Sequence, residues 1–171
     1  QTVREPDRVQ TLETLGIEDA VLHVGSHRII EEIAAGVAID GSEIDPAELR
    51  EAVRARHFDA PVFRAVPAAA QRLIRSIGDV ETTTALRDEL ASELPTGVLE
   101  ALDELVTTLR RVSTLHGSGA TNVRVDCSEL GTHGYYTGIA FAAYLPTVNA
   151  AVLLGGRYDR LLGAFGIDAP S

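Results

Sequence analysis

The chain has 171 residues, of which 45% are hydrophobic and 5% aromatic, and its 25 acidic and 15 basic residues give a net charge of −10. This length suits one domain with a buried core, and no apolar run approaches the ~18 residues that cross a bilayer. Because the basic residues are scattered among acids, the composition argues against a nucleic-acid partner. Cys127 is the only cysteine, so an internal disulfide is excluded and a cytoplasmic location is expected.

The first third of the chain predicts helix, strand and helix. Apolar residues at helical spacing predict a helix over 4–15, which Gly16 ends. A short strand is expected over 20–24. Ser26 can cap the helix that follows, and this helix should bury one face made of three isoleucines, Ile29, Ile30 and Ile33.

The middle of the chain is predicted to be helical. Asp45 and Pro46 are the preferred residues for an N-cap and a first helical position, so a helix should begin there and run to about Arg56. Three further helices are predicted, over 68–77, 80–92 and 98–115. In the last of them apolar residues recur every three or four positions.

After Gly119 the pattern changes to strands. Residues 122–127 alternate between apolar and polar, which is the period of a strand. Two further strands, over 139–144 and 150–154, are predicted to form a hairpin. Residues 157–165 should form a short closing helix.

Two short motifs flank this hairpin, Tyr135-Tyr136-Thr137-Gly138 before it and Gly155-Gly156-Arg157-Tyr158-Asp159 after it. Glycines allow a ligand to approach the backbone closely. Tyrosines offer flat rings with hydroxyl tips, and an arginine offers donors for a carboxylate. Each motif alone is also explained by strand packing or by a bulge. Because the hairpin brings both motifs together, the pair indicates a pocket for a small zwitterion with an aromatic ring.

In this order and spacing, the motifs resemble the histidine-binding part of histidyl-tRNA synthetases and of their paralogue that does not charge tRNA, the regulatory subunit of ATP phosphoribosyltransferase. The resemblance is strong over 122–166 and weaker upstream. It implies an α+β fold of the class II synthetase type, with an antiparallel sheet flanked by helices. Residues 1–171 would form part of one core domain, with a helical insertion at about 45–116 and the histidine-site hairpin at about 121–166.

The resemblance also implies a histidine-binding role for residues of both motifs. The tyrosines of the first motif would line the imidazole pocket, the paired glycines would form its floor, and the arginine and tyrosine of the second motif would brace its wall. The residues concerned are Tyr135, Tyr136, Gly155, Gly156, Arg157 and Tyr158.

Position 131 departs from the synthetase pattern. Synthetases carry Arg-Gly-Leu-Asp before the paired tyrosines, and that arginine stabilises negative charge on the adenylate phosphate, whereas this chain has Gly131-Thr132-His133-Gly134. Losing such a charge partner typically costs about 100-fold or more in rate. His133 as a substitute is a minor alternative, because histidine is mostly neutral near neutral pH. We therefore expect no catalytic residue and no cofactor.

Three interpretations remain open. The first is a non-catalytic regulatory subunit in histidine biosynthesis, which binds histidine and the short-form catalytic subunit of ATP phosphoribosyltransferase in a homo- or hetero-oligomer. The second is a fragment of a histidyl-tRNA synthetase, which Gly131 argues against. The third is a synthetase-like paralogue with another binding role. Because the sequence has no initiator Met, we expect part of a longer polypeptide or one stripped of flexible segments.

The histidines and the cysteine have simpler interpretations. Cys127 lies in an alternating strand and is expected to be a small buried hydrophobic residue. His116, Cys127 and His133 lack the spacing of metal ligands, so no zinc site is predicted. His23 and His27 flank a strand-to-helix turn and are interpreted as surface residues, with a turn that faces a partner as the alternative.

Overall fold

The computed structural model describes residues 20–39, 44–116, 122–131 and 136–159. The predicted helix over 4–15 and the residues His133 and Tyr135 lie outside these ranges. In chain order the elements are β1 (Val21–Ser26), α1 (His27–Ile39), α2 (Pro46–Arg54), α3 (Pro61–Arg64), α4 (Ala68–Ile74), β2 (Ile77–Gly78), α5 (Val80–Glu89), α6 (Thr96–His116), β3 (Val123–Asp126), β4 (Ile139–Tyr144) and β5 (Ala151–Gly156).

The five strands form one sheet in the order β2-β3-β1-β4-β5. This sheet is mixed rather than purely antiparallel: β1 runs parallel to β3, while β1/β4, β2/β3 and β4/β5 are antiparallel. The parallel pair exists because the helical segment between β1 and β3 is a crossover that returns the chain to the same end of the sheet. The expected fold class, a sheet flanked by helices, is confirmed.

The helices pack against one face of the sheet. The three isoleucines of α1 are almost completely buried, and Asp45 begins α2 by accepting a hydrogen bond from the Ala47 backbone N–H at 2.8 Å. Residues at alternate positions of the strands join the same apolar core, as the period of a strand requires. They are Leu22, Val24, Val123, Val125, Ile139 and Phe141.

One predicted helix end was wrong, and two short elements, β2 and α3, were not predicted. Helix α4 ends at Ile74, and Ile77, which was expected in that helix, belongs with Gly78 to a strand that pairs with β3. The chain leaves the helix there because Asp79 caps the next one, accepting a hydrogen bond from the Thr82 N–H at 2.7 Å. Helix α3 has only four residues, too few to show a period.

The prediction of a closing helix over 157–165 was also wrong for the part that the structure describes. Residues 157–159 are not helical. Instead the Arg157 N–H donates to the Ile139 carbonyl at 2.8 Å, and the Thr137 N–H donates to the Arg157 carbonyl at 2.9 Å. These bonds continue the pairing of β4 and β5, so residues 136–138 and 155–159 lie at one end of the sheet.

Candidate functional site

Alternation along β5 places the paired glycines on opposite faces of the sheet. Gly155 lies opposite Phe141, and Gly156 lies opposite Ala140. A side chain at Gly155 would meet the Phe141 ring, 2.3 Å from its Cζ atom, whereas one at Gly156 would meet the Tyr136 ring, 2.7 Å from Cδ1. Each glycine therefore makes room for an aromatic ring of the protein itself.

Tyr136, Gly156 and Tyr158 lie together on the face of β5 opposite to that of Gly155 and Phe141. Tyr136 is buried, with 7% of its surface exposed, and Tyr158 is 47% exposed. Their ring centroids are 6.4 Å apart and their planes are tilted by 49°. An aromatic ligand can therefore approach Tyr158 from solvent, with Tyr136 as the rigid inner wall. Tyr135 lies outside the described residues.

Arg157 is directed away from these tyrosines. Its Cδ atom lies 3.2 Å from the position of a Cβ atom on Gly138, its Nε atom is 2.9 Å from Asp159, and its Nη1 atom is 3.9 Å from Glu104 of α6. It lines a cleft of about 300 Å³ together with Arg28 of α1. Because Arg28 also pairs with Glu104, this cleft holds a network of exposed ion pairs that adds little stability.

Gly131 holds the other edge of the Tyr136 ring. Its φ is +64°, in the left-handed region that side chains other than glycine rarely adopt. A Cβ atom there would lie 2.5 Å from Tyr136 Cε2. Tyr136 is thus held between Gly131 and Gly156, and a side chain at position 131 would both strain the backbone and press on the Tyr136 ring.

The segment 126–131 that presents Gly131 is entirely buried, and Asp126 anchors its start. One carboxylate oxygen accepts from Ser128 N at 3.0 Å and Ser128 Oγ at 2.6 Å. The other accepts from His23 Nδ1 at 2.9 Å and from Arg56 Nη2 at 2.6 Å. Burial alone raises the pKa of Asp126, but the hydrogen bonds from His23, Ser128 and Arg56 outweigh it and hold the pKa at about 2.

Glu129 anchors the end of the same segment. It accepts from the Gly131 N–H at 2.9 Å and from the Tyr144 hydroxyl at 3.2 Å. The segment also lies directly on β1, because a Cβ atom on Gly25 would be 2.3 Å from the Glu129 carbonyl oxygen. Backbone buried in this way needs side-chain partners for its polar groups, and the two acidic residues supply them.

The sequence patterns did not indicate Asp126, Glu129 or the role of His27. An Asp followed two positions later by Ser, at the end of a strand, is a turn signal that could have identified the first. His27 was wrongly interpreted as a surface residue: it is 2% exposed, and its Nε2 atom donates to the Leu130 carbonyl oxygen. The interpretation failed because the turn between β1 and α1 is covered by residues 126–131, about 100 positions away in the chain.

His27 lies among charged groups at this site. Burial lowers its pKa, the hydrogen bond to Leu130 raises it, and the charges of Arg54 and Arg50 on α2 lower it further against an opposing effect of Glu31. A neutral ring with its proton on Nε2 satisfies these contacts. Its centroid lies 6.0 Å from that of Tyr136, so His27 packs behind the aromatic pair.

Cys127 is confirmed as a buried residue. It is fully enclosed, and burial raises the pKa of its thiol to about 12, which makes it unreactive at neutral pH. Within the ranges that the structure describes, no group of three or more His, Cys, Asp or Glu residues is arranged to hold a metal ion. None of the helices described is both long and apolar enough to cross a membrane.

The two neighbouring glycines of β5 allow a matched test of the aromatic pair. We expect Gly156→Ala to push against Tyr136 and the backbone of β4, and so to weaken ligand binding at Tyr158 as well as stability. Gly155→Ala, directed at Phe141 on the other face, should lower stability by a similar amount, roughly 1–3 kcal/mol, and leave binding intact. Calorimetric titration and chemical denaturation of both variants check this. Equal losses of binding would contradict the assignment of faces.

Comparisons with known proteins show the family to which the chain belongs. A family model described as histidyl-tRNA synthetase matches residues 8–171. A protein of Anaeromyxobacter dehalogenans named ATP phosphoribosyltransferase regulatory subunit is 30% identical over 95% of this chain and 46% of its own length. One of the same name from Chromohalobacter salexigens is 36% identical over 89% of this chain and 39% of its own length. The chain thus spans less than half the length of these relatives.

A solved structure from Bacillus halodurans, described as an ATP phosphoribosyltransferase regulatory subunit/histidyl-tRNA synthetase, superposes with a TM-score of 0.74 at 22% identity, over 93% of this chain and 42% of that one. The fold is therefore that of class II synthetase-like domains. More narrowly, the chain belongs to the histidyl-tRNA synthetase family, and among curated proteins it is similar to regulatory subunits of ATP phosphoribosyltransferase.

Proposed function

We propose that this chain is part of a regulatory subunit of ATP phosphoribosyltransferase, without aminoacylation chemistry of its own. The observation that carries the proposal is position 131, where the left-handed backbone and the Tyr136 ring leave no space for the arginine of the synthetase motif. The charge that stabilises an adenylate is thereby removed in a way that rotamer changes cannot restore. The names of the curated relatives support the same role.

The ligand proposed for the site is histidine. Tyr136, Gly156 and Tyr158 form its aromatic wall, and Tyr135 is assigned to it by sequence. Gly155 and Arg157, placed on the opposite face, support the hairpin by making room for Phe141 and by pairing with Asp159. The proposed partner is the short-form catalytic subunit, which histidine bound here would regulate in the cytoplasm.

Two measurements test this function. Histidine at about 100 times its Kd should stabilise the chain by about 2.7 kcal/mol, seen as a rise in melting temperature, and Tyr158→Ala should abolish the rise. Val148→Ala is the control, because Val148 is an exposed apolar residue in the turn between β4 and β5, at the other end of the hairpin. The full-length protein should co-purify with the catalytic subunit and show no histidine-dependent pyrophosphate exchange. Measurable exchange would identify a synthetase instead.

A further inference from the structure

Helix α2 brings two arginines to the segment beside Tyr136. The Arg54 Nε atom donates to the Gly131 carbonyl oxygen across 3.2 Å. Arg50 lies four residues earlier and so projects from the same face of the helix. Because Gly131 touches the Tyr136 ring, the Arg54 guanidinium stands next to the aromatic wall, although it comes from the helical insertion.

The charge of this region differs from that of the rest of the chain. Residues 50–75 contain six arginines and two acidic residues, a net charge of +4, while the remaining residues carry 9 basic and 23 acidic groups, a net charge of −14. Two of these arginines are paired elsewhere, Arg56 with Asp126 and Arg72 with Glu89. Arg54, which contacts Gly131, and Arg50 on the same face of α2 bring positive charge to the candidate site, and such charge favours an anionic ligand group.

Internal partners satisfy this charge only in part. Arg54 pairs with Glu51 through Nη1 at 2.7 Å. The side chain of Arg50 is half-buried, and within the described part of the chain it forms no hydrogen bond or ion pair. A partly desolvated guanidinium gains from a carboxylate partner, since charge-assisted pairs are about twice as strong as neutral hydrogen bonds. Two further charged groups face this region. The Glu129 carboxylate accepts a hydrogen bond from the Gly131 N–H, and the charge of Glu31 on α1 reaches His27 together with those of the two arginines.

We propose that Arg50 and Arg54 recognise the carboxylate of the amino acid whose ring lies against Tyr136 and Tyr158. This inference rests on the proposed function and names which end of the ligand the helical insertion binds. The positive charge that position 131 cannot carry is thus supplied by α2. Arg50 is the part of the site that is most available to the ligand, while Arg54 also orients the Gly131 carbonyl.

The test compares histidine with histamine, which has the same imidazole and amino groups and no carboxylate. In calorimetric titrations of the full chain we expect histidine to bind at least about 10-fold more tightly than histamine, the difference typical of a charge-assisted hydrogen bond. Arg50→Gln should remove most of that preference and leave histamine affinity and melting temperature unchanged. Arg50→Lys should retain part of the preference.

Arg64→Gln is the matched control. Arg64 is an exposed arginine of the same helical segment, at the end of α3, and its side chain has no hydrogen bond or ion pair within the described ranges. The Arg64→Gln variant should bind histidine and histamine with the same affinities as the unmodified chain. If Arg50→Gln keeps the full preference for histidine, or loses histamine affinity equally, the carboxylate assignment is overturned while histidine binding stands. If the unmodified chain binds neither ligand, the proposed function itself fails.

Discussion

Gly131→Ala is expected to destabilise the protein by about 3 kcal/mol or more. The left-handed backbone at position 131 costs a non-glycine residue about 1–3 kcal/mol, and a methyl group 2.5 Å from the Tyr136 ring adds an overpacking cost of about 1–3 kcal/mol. The ring cannot retreat, because its other edge rests on Gly156. Denaturant unfolding should show the loss as a lower midpoint with an unchanged slope.

Gly97→Ala is the control for this prediction. A Cβ atom at Gly97 would lie 2.0 Å from the Glu32 carboxylate, which is closer than the 2.5 Å between a Cβ atom at Gly131 and the Tyr136 ring. Glu32, however, is a half-exposed side chain that can rotate away, and Gly97 lies in the first turn of α6, where alanine favours the helix. We expect a change within about 0.5 kcal/mol. A small effect at both positions would mean that Gly131 is not held by Tyr136.

A second substitution at this position, to arginine, tests separately how residue 131 affects stability and whether it controls catalysis. Gly131→Arg restores the residue of the synthetase motif and should be at least as destabilising as Gly131→Ala, because the backbone and the ring block Cβ first. It should produce no pyrophosphate exchange. Gain of exchange by a stable Gly131→Arg protein would show that the segment adapts and that one residue separates the two activities.

The predictable parts of the fold are those encoded by local pattern. Helices α1 and α6 and strand β4 were anticipated because apolar period and capping residues are properties of a few adjacent positions. The parallel pairing of β1 with β3 was not, since it depends on the path of about 100 intervening residues. The strand at 77–78 was missed for the same reason: its two residues are extended only because β3 lies beside them.

The sequence indicated the motifs of the candidate site but not how their side chains are arranged in space. The sequence places Gly155 to Tyr158 in one motif, but the alternation of a strand directs Gly156 and Tyr158 to one face and Arg157 to the other. The glycines were expected to admit a ligand, and their neighbours are instead Phe141 and Tyr136. The contact of Arg54 with Gly131 could not be predicted for a different reason, because no local sequence pattern links residue 54 to residue 131.

Asp126→Asn is expected to lower the free energy of unfolding at neutral pH by about 3 kcal/mol, the lower end of the range for breaking a buried ion pair. The lower end applies because the partner Arg56 is 43% exposed and can be solvated once the carboxylate is gone. Asn retains one acceptor for Ser128 but gives up the charge that His23 and Arg56 share. Asp59→Asn, at an exposed aspartate, is the control and should change stability by less than about 0.5 kcal/mol.

The pH dependence of this difference distinguishes a buried charge from a lost hydrogen bond. The pKa of Asp126 is about 2 in the folded protein against 3.8 ordinarily, so its ionised form stabilises the fold fully above about pH 5, and that contribution of about 2 kcal/mol disappears as the pH falls through 2. Unfolding free energies measured from pH 7 to pH 2 should therefore converge for the original chain and Asp126→Asn. If the two unfolding free energies instead differ by the same amount at every pH, Asp126 acts as a neutral acceptor. The anchoring of residues 126–131 would then depend on Glu129 and Gly25 rather than on the charge of Asp126.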